Sequence, residues 1–221
     1  MFKYQDILNE AVKLTQAPVD TTDYIVLVAT VMAGGSTENY SVAKKKLRQL
    51  MNTDNKLRNY LQTIYKTQKC YRGINISKHA YKKHFHLAEQ GDTVSLQSYN
   101  KQTVFSWTID KGVADVVATS STGGDTIAII VEAIISKDMI LFDATKINKN
   151  DFVEKLSDME YADQIRYEIV DAPDVFWGQK EIIVHHKKPI KATVIFAQPS
   201  SDISFDTYYK HRSKYSWGDL Y

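Results

Sequence analysis

The chain has 221 residues, of which 43% are hydrophobic and 24% are charged, and its formal net charge is +2 at pH 7. These values predict one globular domain with a substantial core, and they argue against a disordered, fibrous or dedicated nucleic-acid-binding protein. A single cysteine, Cys70, allows no internal disulfide, so we expect a reducing, cytoplasmic location.

Neither a secretory signal nor a membrane segment is expected. The first six residues are too polar for a signal peptide, and the longest apolar stretches, 24–33 and 127–135, are too short to cross a bilayer.

The first 68 residues are predicted to be helical. Apolar residues recur every three to four positions in residues 4–16, 23–32, 39–51 and 54–67. Asp54 is the predicted N-cap of the fourth helix, because its carboxylate can accept from first-turn amides.

Residues 70–197 are predicted to be mainly β-structure. Short runs rich in β-branched and aromatic residues occupy 70–76, 103–109, 126–135, 164–169, 181–184 and 192–197. One helix interrupts them, with Ser77 as its N-cap and Gly91 as its stop. The aromatic and basic tail, 198–221, is expected to pack on the rest. Helices followed by a mostly antiparallel sheet indicate a single α+β domain over residues 1–221.

Three short signals follow one another in the β part. They are Arg72-Gly73 in the first run, Ser106-Trp107-Thr108 in the second, and Gln179-Lys180-Glu181 at the head of another. A loop with two aromatic residues, Phe176 and Trp177, precedes the third signal. Each signal alone is common in proteins of this length, so the information lies in their order.

Together the signals resemble the Arg-Ser-Glu class of mono-ADP-ribosyltransferases. In that family one strand bears Arg-Gly, the next bears an aromatic-Ser-x-Ser/Thr segment, and an aromatic loop leads into Gln-x-Glu or Glu-x-Glu at the head of a strand. The resemblance covers about residues 70–197. The size and the helices before Arg72 are similar to the small Mod-type enzymes of T-even bacteriophages. The resemblance implies two packed, roughly perpendicular antiparallel sheets around an NAD cleft, preceded by helices.

The resemblance also implies an activity: cleavage of the nicotinamide–ribose bond of NAD and transfer of ADP-ribose to a side chain of a host protein. NAD is the implied substrate, and no metal is required. Mod-type enzymes modify host transcription and translation proteins. RNA polymerase and ribosome-associated proteins, in the cytoplasm of an infected bacterium, are therefore the implied partners.

Three residues take the central roles in this comparison. Glu181 is expected to bind the ribose 2′-hydroxyl and to stabilise the oxocarbenium-like transition state. Arg72 is expected to bind the pyrophosphate, because a guanidinium fork matches phosphate oxygens. Gly73 is expected to let the backbone approach the nicotinamide amide. The structural alternative for Glu181 is an exposed charge at a strand start. For Arg72 it is an ion pair on the sheet surface, and for Gly73 it is a β-bulge.

The remaining signal residues are expected to position NAD and the acceptor. Ser106 would hydrogen-bond Glu181 and hold its rotamer, while Trp107 and Thr108 complete the NAD-binding segment. A plain alternating strand is the alternative for all three. Gln179, two residues before Glu181, is expected on the same sheet face and near the acceptor.

The acceptor side chain is left open by the same comparison. Phe176 and Trp177 are expected to contact the target protein. In the family, glutamate at the position of Gln179 goes with arginine acceptors and glutamine often with asparagine. The Mod-type resemblance favours arginine, and asparagine remains open.

One departure concerns the nicotinamide ring. Several relatives place an aromatic residue against it about ten residues after the serine segment, but residues 112–117 contain none. Tyr71, Phe105, Tyr81 and Phe85 are the candidates to replace it.

The histidines do not suggest a metal site. No pair among His79, His84 and His86 has the four-residue spacing that chelates a metal on a helix. His185 and His186 would face opposite sides of a strand.

Basic clusters at 44–48, 185–191 and 210–214 fit either solvated faces or a surface for RNA or ribosomes. Two other functions therefore remain: an NAD glycohydrolase, and a non-enzymatic basic module that binds nucleic acid or ribosomes.

Overall fold

The structure is a computed structural model that describes residues 11, 13–33, 37–96, 104–119, 125–159, 169, 177–186 and 188–203. Within these ranges the chain forms six α-helices and seven β-strands, an α+β content as the sequence predicts. The helices are α1 (Thr22–Ala33), α2 (Thr37–Thr53), α3 (Asn55–Ile64), α4 (Lys78–Phe85), α5 (Lys111–Thr119) and α6 (Lys149–Ser157). The strands are β1 (Gln68–Ser77), β2 (Thr93–Leu96), β3 (Val104–Thr108), β4 (Thr126–Ile135), β5 (Ile140–Asp143), β6 (Glu181–His185) and β7 (Ile190–Pro199).

The chain divides into two compact units. The first comprises residues 1–66 and 140–181, and the second comprises residues 67–139 and 182–221. The first unit holds α1, α2, α3, β5 and α6. Glu181 is both its last residue and the first residue of β6.

The core of the first unit contains α1, which is apolar along most of its length. Its buried side chains include Tyr24, Ile25 and Val28, and a helix of this kind needs a protein core around it. The Tyr24 hydroxyl donates to the Leu141 carbonyl at 2.8 Å and lies 2.8 Å from the Tyr65 hydroxyl. These bonds satisfy polar groups that water does not reach.

The strands of the described residues belong to one seven-stranded sheet, six of whose strands run in the order β2-β7-β4-β1-β3-β6. The seventh is β5. The pairs β1–β4, β1–β3, β2–β7 and β4–β7 are antiparallel. Ten residue pairs join β1 to β4, from Gln68↔Ile135 to Ser77↔Thr126. The antiparallel pairing was expected, whereas the two packed sheets that the family resemblance implies are not seen in the described ranges.

Two helix starts that the sequence predicts are confirmed. The Asp54 carboxylate caps α3 by accepting from the Leu57 amide at 2.9 Å. The Ser77 hydroxyl caps α4 by accepting from the Ala80 amide at 3.2 Å. Both caps satisfy amides that the first turn of a helix leaves without partners.

The predicted end of α4 near Gly91 is wrong. The helix ends at Phe85, because His86 and Leu87 have φ values of 53° and 60° in the left-handed region. Such backbone angles break the helical hydrogen-bond series. Residues after this bend form β2, which pairs with β7 and which the sequence pattern did not indicate.

Other elements were missed or lie outside the described residues. The helices α5 and α6 and the strand β5 were not predicted. The predicted helix at 4–16 and strand at 164–169 fall largely outside the described ranges, as does the tail from residue 204; the described part of the first segment contains the 3₁₀ turn Leu14–Gln16.

Candidate functional site

Arg72 lies on β1 with its guanidinium over the ring of Phe105 on β3. The guanidinium carbon is 4.2 Å from the ring centre, which is a cation–π contact. In the antiparallel pairing of β1 with β3, Tyr71 lies opposite Thr108, so Arg72 and Trp107 face each other on one side of the sheet. Phe105 shares that side with Trp107, because strand side chains alternate.

His186, directly after β6, lies against the same two aromatic rings. Its imidazole centre is 4.6 Å from the Phe105 ring centre and 6.0 Å from the Trp107 ring centre. The indole Nε1 of Trp107 donates to His186 Nε2 at 3.2 Å. We call Arg72, Phe105, Trp107 and His186 the Arg72 cluster.

The imidazole of His186 is neutral at ordinary pH. Burial, followed by the positive charge of Arg72 and the influence of His185, lowers its pKa from 6.5 to about 3. An indole nitrogen can only donate, so Nε2 accepts and the ring proton is on Nδ1. This Nδ1 is buried and has no hydrogen-bond partner among the described residues.

Ser106 lies on the opposite side of β3 from the Arg72 cluster. It is the exposed middle residue of a strand whose other four residues are buried. Because Phe105 and Trp107 face Arg72, alternation directs Ser106 away from it. The structure therefore places Arg72 and Ser106 on opposite faces of the sheet.

Gly73 has a packing role in this fold. A Cβ at this position would lie 2.1 Å from the Ala114 carbonyl oxygen and 2.7 Å from the Ala118 amide nitrogen of α5. The absence of a side chain lets α5 pack directly on β1. This contact is sufficient to explain the glycine, without the proposed approach to nicotinamide.

Thr108 and Trp107 also have structural partners. The Thr108 hydroxyl accepts from the Asp110 amide at 3.0 Å, and the Asp110 carboxylate accepts from the Gly112 amide at 2.9 Å. These bonds shape the turn into α5. Trp107 is 2% exposed, and its nitrogen is used by His186.

Glu181 is buried, with 9% of its surface exposed. It is therefore not the ordinary exposed charge that we considered as its structural alternative. Its carbonyl accepts from the Ala144 amide at 2.9 Å, which anchors the start of β6. A carboxylate is expensive to bury unless something nearby compensates its charge.

Gln179 does not lie on a strand face beside Glu181. Residues 179 and 180 form a turn, and Lys180 has a φ of 50°. Side chains alternate between the two faces of the sheet only from Glu181 onward, because β6 begins there. The expectation that Gln179 shares a face with Glu181 therefore has no basis in strand geometry.

Trp177 belongs to an aromatic cluster of the first unit. Its ring centre is 5.9 Å from that of Phe142 and 5.4 Å from that of Phe152, and its Nε1 donates to the Ile147 carbonyl at 3.0 Å. These contacts favour a structural role over recognition of a target protein. Phe176 lies outside the described residues.

The three strands that bear the sequence signals are consecutive in the sheet. The order β1-β3-β6 places the strands of Arg72, Ser106 and Glu181 side by side.

Among the candidates for the nicotinamide ring, Phe105 lies beneath Arg72. Two others belong to the packing of α4. Tyr81 stacks on Phe85 with ring centres 5.9 Å apart, and its hydroxyl donates to the Ala88 carbonyl. Tyr71, the fourth candidate, precedes Arg72 on β1 and packs against a buried cluster that includes Ala114 and Ala118.

Sequence reasoning missed His186 as a site residue. The histidine pair was weighed only as a pair of metal ligands and set aside because neighbours in a strand face opposite ways. No local pattern distinguishes His186, because its position depends on Phe105 and Trp107 on another strand.

Three further observations concern metal ions, membrane helices and the basic clusters. Within the described ranges, no group of three or more histidine, cysteine or acidic residues could hold a metal ion. No described helix has the length and apolar character needed to cross a membrane. In the basic cluster at 44–48, Lys44 lies 3.8 Å from the ring centre of Tyr40. In the cluster at 185–191, His185 is buried. The cluster at 210–214 lies outside the described residues.

Comparison with known proteins yields no match: no protein-family model, no curated protein and no solved structure matches the chain.

Proposed function

We propose that the protein is an NAD-dependent mono-ADP-ribosyltransferase. The observation that carries the proposal is the adjacency of β1, β3 and β6, which bear the Arg, Ser and Glu signals although they are far apart along the chain. The order of these signals in the sequence supports the same function. The proposed acceptors are bacterial transcription or translation proteins in the cytoplasm of an infected cell, modified on arginine or asparagine.

The reaction breaks the bond between the ribose C1′ and the nicotinamide nitrogen. The bonding electrons leave with nicotinamide, C1′ becomes cationic in character, and a nucleophilic atom of the acceptor then bonds to C1′ and loses a proton. A carboxylate beside the ribose stabilises the developing positive charge. Glu181 has this role in the proposal, and its burial supports it because a carboxylate acts more strongly where water is excluded.

Arg72 and Ser106 have separate tasks. Arg72, with its guanidinium held on Phe105, binds phosphate oxygens. Ser106, the exposed residue of β3, orients the Glu181 carboxylate in the proposal.

Labelled NAD and a bacterial lysate test the proposal. Wild-type protein should transfer label to discrete protein bands, and Glu181→Gln should reduce the rate on the order of a thousandfold, because it removes charge stabilisation of the transition state. Glu132→Gln is the matched control, since Glu132 lies on β4 in an ion pair with Lys69 at 3.5 Å. Labelling that survives Glu181→Gln would refute the catalytic assignment.

Two further outcomes separate the alternatives. Release of nicotinamide at the full rate without any protein acceptor would identify an NAD glycohydrolase. Failure to bind or consume NAD would favour the non-enzymatic basic module.

A further inference from the structure

His186 presents a buried hydrogen-bond donor, the N–H of its Nδ1. Its Nε2 accepts from Trp107, so its only proton is on Nδ1. That Nδ1 has no partner among the described residues, in a side chain that is 6% exposed. A buried donor without a partner is unfavourable, so a ligand that accepts a hydrogen bond from Nδ1 would be stabilised there.

The surroundings of this donor favour a negatively charged partner. Among the described residues, the ionisable groups that act on His186 are Arg72 and His185, and both oppose a positive charge on its imidazole. Arg72 and His186 also share Phe105 as a neighbour, at 4.2 Å and 4.6 Å from its ring centre. A fixed cation and a neutral donor against one aromatic ring suit an anionic oxygen.

We propose that Arg72 and the Nδ1–H of His186 form an anion-binding subsite for a phosphate group of a small ligand. Arg72 supplies the charge, and His186 supplies a donor that stays neutral and so fixes the position of one oxygen. For NAD as the ligand, the inference rests on the proposed function; for the anion itself, it rests on the Arg72 cluster alone.

Trp107 is a positioning residue for this subsite. By donating to Nε2, its indole determines which imidazole nitrogen carries the proton. The family resemblance places Trp107 in the NAD-binding segment. The structure assigns it the task of holding His186 in the tautomer that donates through Nδ1.

A small ligand fits this position better than a macromolecular surface. Because Nδ1 is buried, the oxygen that it meets must also be buried in the complex, whereas Arg72 is only half-buried and provides the approach. A phosphate group attached to a small molecule meets both conditions.

Two substitutions at His186 separate the functions of its nitrogens. In His186→Gln the side-chain oxygen takes the place of Nε2 and keeps an acceptor for Trp107, but the donor at Nδ1 is lost. In His186→Asn the amide group takes the place of Nδ1 and keeps a donor there, but Trp107 loses its acceptor. A purely structural role for His186 predicts that His186→Asn is the more harmful change.

Affinity for inorganic pyrophosphate and for NAD, measured by calorimetry on the full chain, tests the proposal. His186→Gln should weaken pyrophosphate binding roughly ten- to a hundredfold, as expected for a lost hydrogen bond to a charged group. His186→Asn should bind within a few-fold of wild type. His79→Gln, at an exposed histidine on α4, is the control. Equal affinity of wild type and His186→Gln, or no pyrophosphate binding by wild type, would overturn the subsite.

Nitrogen NMR of histidine-labelled wild type gives a readout that does not depend on a variant's folding. The spectrum should show the Nδ1–H tautomer, and pyrophosphate should shift that signal. In Trp107→Phe the tautomers should mix. An Nδ1 signal whose chemical shift does not change when pyrophosphate binds would refute the proposal.

The results also separate this inference from the proposed function. Pyrophosphate binding through His186 without NAD cleavage would keep the subsite and reject the transferase. NAD cleavage with unchanged pyrophosphate binding in His186→Gln would support the transferase and reject the subsite.

Discussion

The two compact units differ in how they satisfy their buried polar groups. In the first unit, the Tyr24 hydroxyl has both Tyr65 and the Leu141 carbonyl as partners, and the indole of Trp177 donates to Ile147. In the second unit, one nitrogen of His186 is paired with Trp107 and the other has no partner in the part of the chain that the structure describes. Groups paired within the chain stabilise the fold, whereas an unpaired buried donor is available to a ligand.

The same difference is visible in the ionisation of buried groups. Burial raises the pKa of Tyr24 and of Tyr65 in the first unit, so both hydroxyls stay neutral and paired. Burial lowers the pKa of His186 in the second unit, so its imidazole also stays neutral. All three groups avoid a buried charge, but the histidine keeps a proton that has no acceptor among the described residues. We therefore expect substitutions in the first unit to change stability and those around His186 to change binding.

The largest expected effect is in the aromatic cluster of the first unit. Phe152→Ala should lower the free energy of unfolding by about 3–5 kcal/mol, because a fully buried ring leaves a cavity. Urea denaturation measures the loss. The pyrophosphate affinity of the protein that remains folded should not change. A loss of affinity in this variant would contradict the expectation that substitutions in the first unit affect stability alone.

A second effect concerns the contact between β1 and α5. Gly73→Ala should cost about 1–3 kcal/mol or more, because its Cβ would meet the Ala114 carbonyl at 2.1 Å. Ala114→Gly should not rescue it, since the clash is with backbone. Val117→Ala, on the exposed side of α5, is the control. A fully stable Gly73→Ala protein would contradict the packing role.

The stability of the protein should depend on pH through His186. The folded-state pKa is about 3 and the unfolded value is 6.5, so the unfolded chain binds the proton first as the pH falls. Stability should therefore decrease below about pH 6.5, by roughly 2 kcal/mol by pH 5, and this dependence should end near pH 3.

Urea denaturation at several pH values measures this dependence, and His186→Asn should remove it. The charged or titratable neighbours that act on His186 are Arg72 and His185, so His79→Gln should leave the slope unchanged. An identical slope in wild type and His186→Asn would contradict the buried neutral histidine.

The smallest expected effect concerns the paired hydroxyls of the first unit. Tyr65→Phe should lower stability by about 1 kcal/mol, because it removes one partner of Tyr24 and leaves the Leu141 bond in place. Tyr24→Phe should lower stability further, since it removes the hydroxyl that bonds both the Tyr65 hydroxyl and the Leu141 carbonyl. Thermal denaturation of the two variants checks the order, and the reverse order would show that the pairing is not as described.

Local signals in the sequence determined many helix starts and strand positions. Asp54 and Ser77 cap the helices that they were expected to begin, and the runs at 126–135 and 181–184 correspond closely to β4 and β6. These features depend on interactions between residues close in the chain: a side chain and an amide three residues later, or the propensity of a β-branched run. The α+β class follows from the same patterns.

Only the tertiary structure decided which strands are neighbours and which side chains share a face. The order β1-β3-β6, the position of Ser106 opposite the Arg72 cluster and the packing of α5 on Gly73 depend on residues far apart in the chain. His186 could not be singled out from the sequence, because its neutral state and its unpaired nitrogen arise from Trp107 and Arg72 on other strands. Short-range propensities contain no information on such contacts, since register and burial are set by the whole sheet.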